Sequence, residues 1–87
     1  MSIQKHRVAI DKIDAQIVKL LNRRTKHVLG IGQAKLASGK AIFQPDREQV
    51  LLRRICKLSD GVLSDESLRH IYREVMSSSI ALQKGFK

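Results

Sequence analysis

Taken at seven-residue steps, the first forty residues place Ile3, Ile10, Ile17, Arg24 and Ile31 on one line. Further apolar residues recur at three- and four-residue steps (Ile13, Leu20, Leu21, Val28, Ala34), and no proline interrupts the run. That spacing predicts one α-helix over about residues 3–38 with a single apolar stripe, closed by Gly39. Gly30 and Gly32 each weaken it by about 1 kcal/mol relative to alanine. At ~1.5 Å per residue the helix is ~50 Å long, whereas a compact chain of this length is only ~30 Å across. Much of the stripe therefore lies beyond the reach of its own subunit. An apolar stripe left in water aggregates, so a second copy in a two-fold dimer is the expected cover.

Two shorter helices follow. Pro45 suits a first helical turn, and Asp46 and Glu48 suit its positive end. Val50, Leu51, Ile55 and Leu58 form the expected buried face of a helix over about 45–59, which Asp60-Gly61 ends. Ser64 is a good N-cap for a third helix over about 64–84, with Leu63 and Leu68 at the spacing of a hydrophobic staple. Its stripe runs through Leu68, Ile71, Tyr72, Val75, Met76, Ile80 and Leu82. Nothing alternates like a strand. The expectation is an all-α chain, one domain over 1–87, assembled as an intertwined homodimeric helical bundle.

Composition narrows the functional classes. Aromatic residues are 3% of the chain and hydrophobic residues 43%, so the core is aliphatic. One cysteine, Cys56, excludes an internal disulfide; it sits in an apolar-periodic stretch and reads as a buried, inert thiol without a metal-ligand cluster around it. No apolar run approaches the ~20 residues that span a bilayer, and the N-terminus lacks a secretory segment. A cytoplasmic protein with no membrane role is expected. Net charge is +9, with nine lysines and arginines in residues 1–40 against only Asp11 and Asp14. That excess asks for an anionic partner. Nucleic acid fits poorly: only Phe43, Tyr72 and Phe86 are available for stacking, and no basic ladder lines one exposed helix.

Arg24 is the irregularity in the stripe. A buried cation costs several kcal/mol unless an anion meets it, and few carboxylates are available nearby. Lys35, eleven residues on, returns to within ~20° of the same direction and lies ~16 Å further along the axis. Two long side chains leaning inward can therefore grip opposite ends of a small anion, with Gly32 between them leaving room. Arg23 points away and reads as a surface charge, as do Arg53, Arg54, Lys57, Arg69 and Arg73. On the third helix Ser79 and Gln83 share a face, and Gln83 carries a donor and an acceptor useful toward an uncharged oxygen. Glu48 is equally a dipole partner and a ligand contact.

These strings resemble a known family. Ile10-Asp11-Lys12-Ile13-Asp14-Ala15-Gln16-Ile17, Leu20-Leu21-Asn22-Arg23-Arg24, Ile31-Gly32-Gln33-Ala34-Lys35, Pro45-Asp46-Arg47-Glu48 and the closing run from Ile71 to Gln83 are similar, in order and spacing, to the all-α chorismate mutases. The resemblance covers nearly the whole chain. It implies an intertwined helical dimer with two equivalent sites, converting chorismate to prephenate on the path to phenylalanine and tyrosine. Carried over by position, Arg24, Lys35, Arg47, Glu48, Ser79 and Gln83 bind substrate within one subunit, while Arg7 reaches the partner's site. Gln44 stands where a bacterial member of the family has aspartate, so its amide or backbone would have to serve.

The implied reaction is a one-step pericyclic shift that needs no cofactor, metal, nucleophile or proton transfer. The resemblance assigns Arg24 and the partner's Arg7 to the two carboxylates, with Arg47 and Ser79 supporting. It assigns Lys35 and Gln83 to the ether oxygen and Glu48 to the ring hydroxyl. An isochorismate-pyruvate lyase shares the fold and is the nearest rival. Such mutase domains also stand at the front of prephenate dehydratases, and the tail Lys84-Gly85-Phe86-Lys87 has the look of a linker.

Overall fold

The structure, a computed structural model, describes residues 2–41 and 44–85. Phe43 and Phe86, two of the three aromatics weighed as stacking groups, lie outside these, as does Lys87. Three helices make up the fold: α1 (Ile3–Ser38), α2 (Pro45–Leu58) and α3 (Asp65–Lys84). Among the described residues there is no strand.

Each helix begins and ends for a local reason. Ser2 caps α1 by accepting from the Lys5 N–H at 3.2 Å, which satisfies one of the orphan donors of the first turn. At the other end Gly39 adopts φ 72°, and its N–H turns back to the Lys35 carbonyl. Lys40 N–H joins the same oxygen at 3.0 Å. Only a residue without Cβ enters that left-handed conformation cheaply. Pro45 opens α2. Ser64 caps α3, its Oγ accepting from the Ser67 N–H at 3.1 Å, with Asp65 and Glu66 in the first turn.

The shape is elongated, 54 × 23 × 15 Å with a radius of gyration of 15.9 Å, against the ~12 Å of a compact chain of this length. α3 packs on both other helices, whereas α1 and α2 do not approach each other among the described residues. The core is correspondingly thin: Leu51, Leu52 and Met76 are buried together, with Ile55 and Tyr72 packed against them. Each such side chain contributes only about 1.5–3 kcal/mol.

Burial corrects several sequence expectations. On α2 the inward positions are Leu51 and Leu52, while Val50 and Leu58 of the expected face stay exposed within the subunit. On α3, Ile71 and Leu82 of the expected stripe are likewise exposed, and the polar Gln83 is buried in their stead. Cys56 is half-buried rather than buried, with its thiol 3.9 Å from the Asp65 carbonyl. On α1 every residue from 2 to 23 is exposed, including Ile3, Ile10 and Ile17 of the heptad line. The two buried positions of α1 are Val28 and Gly32.

Candidate active site

Three of the sequence candidates, Arg24, Ser79 and Gln83, meet where the second half of α1 packs on the second half of α3. Arg24 Nη1 donates to Ser79 Oγ at 2.8 Å, and Ser79 Oγ donates in turn to the Val75 carbonyl at 2.9 Å. One helical turn further on, Gln83 Nε2 donates to the Val28 carbonyl at 2.9 Å. Both links join residues 55 apart in sequence, so α1 and α3 run parallel here, tied at successive turns. Parallel alignment follows from the connectivity, because α2 carries the chain back before α3 resumes the direction of α1.

Each bond fixes a chemical role. A hydroxyl has one proton, and that of Ser79 goes to Val75, so toward Arg24 the serine is an acceptor. Arg24 is half-buried, and among the described residues no carboxylate neutralises it; its one hydrogen bond is to a neutral hydroxyl. Gln83 is only 6% exposed. Facing a carbonyl, its amide must present nitrogen rather than oxygen. Axially, Gln83 sits between Arg24 and Lys35, since Val28 is one turn above the first and two below the second. Lys35 is half-buried, and its backbone is held by the α1 terminus: Ser38 Oγ adds a contact at 3.3 Å to the carbonyl already capped by Gly39 and Lys40.

The remaining sequence candidates are spread more widely. Glu48 is half-buried on α2 and opens into a cleft shared with Arg73, Ser77 and Lys84 of α3. Arg73, read from sequence as a solvated charge, is therefore a neighbour of that carboxylate's cleft. Arg47 and Gln44 are exposed at the start of α2; Gln44 is its N-cap residue and makes no side-chain cap bond. Arg7 is exposed and, seventeen residues from Arg24 on the same helix, lies ~25 Å from it along the axis. It cannot join the Arg24 cluster of its own subunit.

Two features escaped sequence reasoning. Glu74 and Thr25 line the cleft beside Arg24, although neither belongs to an obvious motif. The Val28 carbonyl is the second, and no side-chain pattern reports a backbone acceptor. Among the described residues no cluster of three or more His, Cys, Asp or Glu is placed to hold a metal. No helix among them is long and apolar enough to cross a membrane.

Fold and site together define an all-helical module that holds an arginine and a buried amide along one helix–helix seam, with a lysine further along the first helix. The sequence profile of chorismate mutase type II matches residues 6–84, and the chain belongs to that family. It is 48% identical over 79 residues to a bifunctional chorismate mutase/prephenate dehydratase of Neisseria gonorrhoeae, covering 91% of this chain and 21% of that protein. A protein of the same description from Aquifex aeolicus is 37% identical over 89 residues, covering 98% of this chain and 25% of the relative. The chain thus spans about a fifth to a quarter of the length of these curated relatives. Among solved structures, chorismate mutase (Form II) from Thermus thermophilus superposes with a TM-score of 0.92 at 28% identity, covering 94% of this chain and 93% of that one.

Proposed function

We propose that this chain is a chorismate mutase domain that rearranges chorismate to prephenate in aromatic amino acid biosynthesis, in the cytoplasm. The observation that carries the reading is the pair of links Arg24–Ser79 and Gln83–Val28, which hold a cation and an amide donor on one seam with Lys35 beyond them. In the rearrangement the ether C–O bond breaks as a C–C bond forms. The protein must hold a flexible dianion in a compact chair and stabilise charge growing on the ether oxygen.

Arg24, oriented by Ser79, takes a carboxylate through its planar fork. Lys35 and Gln83 donate to the ether oxygen, Glu48 accepts from the ring hydroxyl, and Arg47 and Gln44 close the α2 side. Arg7 serves the site of a second copy, which its distance from its own Arg24 supports. A two-fold dimer also accounts for the exposed stripe. The chain exposes 7118 Å², against about 5,200 Å² for a compact monomer of its mass.

The direct test is loss of chorismate absorbance on adding purified protein, with the product identified. Prephenate is expected. Inactivity toward chorismate, or release of pyruvate from isochorismate instead, would overturn the reading.

A further inference from the structure

Gln83 is useful to the reaction only if its amide presents N–H to the substrate, because an ether oxygen accepts and never donates. An amide can flip, and its two ends are nearly the same size. Something must therefore decide which end faces α1. In this structure the partner is a backbone carbonyl, that of Val28, at 2.9 Å from Nε2. A carbonyl accepts two hydrogen bonds. Within a helix one is taken by the N–H four residues on, here that of Gly32. The other lone pair is normally screened, since a helical side chain leans toward the N-terminus and covers the turn before its own Cα. For the Val28 carbonyl the covering position is residue 32, and it is a glycine. Val28 and Gly32 are also the two buried residues of α1, and α3 reaches this turn through Gln83 at the Val28 carbonyl.

We propose that Gly32 is a positioning residue for Gln83: by leaving the Val28 carbonyl uncovered, it lets that oxygen hold one Nε2 proton and commits the other to the substrate. This rests on the mutase reading and deepens it. It also gives Gly32 a task other than making room for the ligand, and the two tasks have different kinetic signatures. Space filled at the substrate raises KM. A misoriented donor lowers kcat, because the ether contact strengthens only as charge develops.

The test is a double-mutant cycle on chorismate turnover with wild type, Gly32→Ala, Gln83→Ala and the double variant, with circular dichroism as the check on folding. Gln83→Ala is expected to lose about 100-fold or more in kcat. Gly32→Ala should lose about 10- to 100-fold in kcat, with KM within about twofold. Helicity should be unchanged, since alanine is the better helix former. The double variant should fall within about twofold of Gln83→Ala. Additive losses, or a raised KM at unchanged kcat, would overturn the proposal.

A second measurement stands apart from activity and from the folding of any variant. In 15N-labelled wild type without ligand, one Gln83 side-chain amide proton should be protected from exchange relative to those of exposed Gln49. Equal, fast exchange of both protons would overturn the proposal. A wild type that shows this protection but no turnover would instead defeat the mutase reading.

Discussion

Arg24 spends one of its several N–H donors on Ser79, and the others suit a guanidinium that awaits a carboxylate. Arg24→Ala or Lys35→Ala is therefore expected to lower kcat/KM by about 10²- to 10³-fold, while circular dichroism and sedimentation stay those of the wild type. Near-normal turnover in either variant would remove that residue from the site. Gln83→Glu examines the donor requirement directly. A carboxylate only accepts, whereas a protonated carboxyl donates, so activity should rise as pH falls. The Val28 carbonyl 2.9 Å from the present nitrogen disfavours the charged form and pushes the titration above the ordinary glutamate value of about 4.3. One O–H must then serve two acceptors, so the acid-side plateau should stay below wild type. A flat pH–rate profile would count against the ether contact.

Among the elements, α1 performs two jobs along one axis. Its first half is exposed throughout, and its second half carries the seam. The join between helix end and site is Gly39, whose φ of 72° lets its N–H and that of Lys40 close on the Lys35 carbonyl. Gly39→Ala forces a Cβ into the left-handed region, a cost of about 1 kcal/mol. In thermal melts that should appear as a midpoint lowered by about 4–8 °C, together with weakened turnover because the backbone of Lys35 loosens. An unchanged midpoint would show that the cap contributes nothing. The helices themselves were legible from sequence because each stop and start is local chemistry: Gly39, Pro45 and Ser64 act within a turn of where they sit. The inward face of α2 was legible in part: Leu51 and Ile55 of the expected face pack inward, whereas Val50 and Leu58 stay exposed and Leu52 turns in. Val50, Leu51, Leu52 and Leu58 are all apolar, and only the approach of α3 selects Leu51 and Leu52.

For the molecule as a whole, length and surface argue for a partner of the same sequence, and Arg7 supplies a test of how the copies share a site. Arg7→Ala and Arg24→Ala should each be nearly inactive. If Arg7 acts across the interface, refolding an equal mixture places both lesions in one site of each heterodimer and leaves the other intact. Random pairing then restores about a quarter of wild-type activity. No recovery, in a mixture shown by mass spectrometry to contain heterodimers, would place Arg7 outside the partner's site. Ile3, Ile10 and Ile17 are all exposed in the single chain, and burial on association is expected of them.

The sequence alone determined the three helices, the excess length of the first and the presence of a cation where an apolar residue was due. Those properties follow from periodicity and from residues acting on their near neighbours. It also placed Arg24, Lys35, Ser79 and Gln83 on helix faces, since 3.6-residue geometry relates positions within one element. It could not relate one element to another. That Ser79 accepts from Arg24 and that Gln83 is turned nitrogen-first onto the Val28 carbonyl were decided only when α3 settled parallel to α1. The bonds concerned join residues 55 apart, and one of them ends on a backbone oxygen that every residue carries.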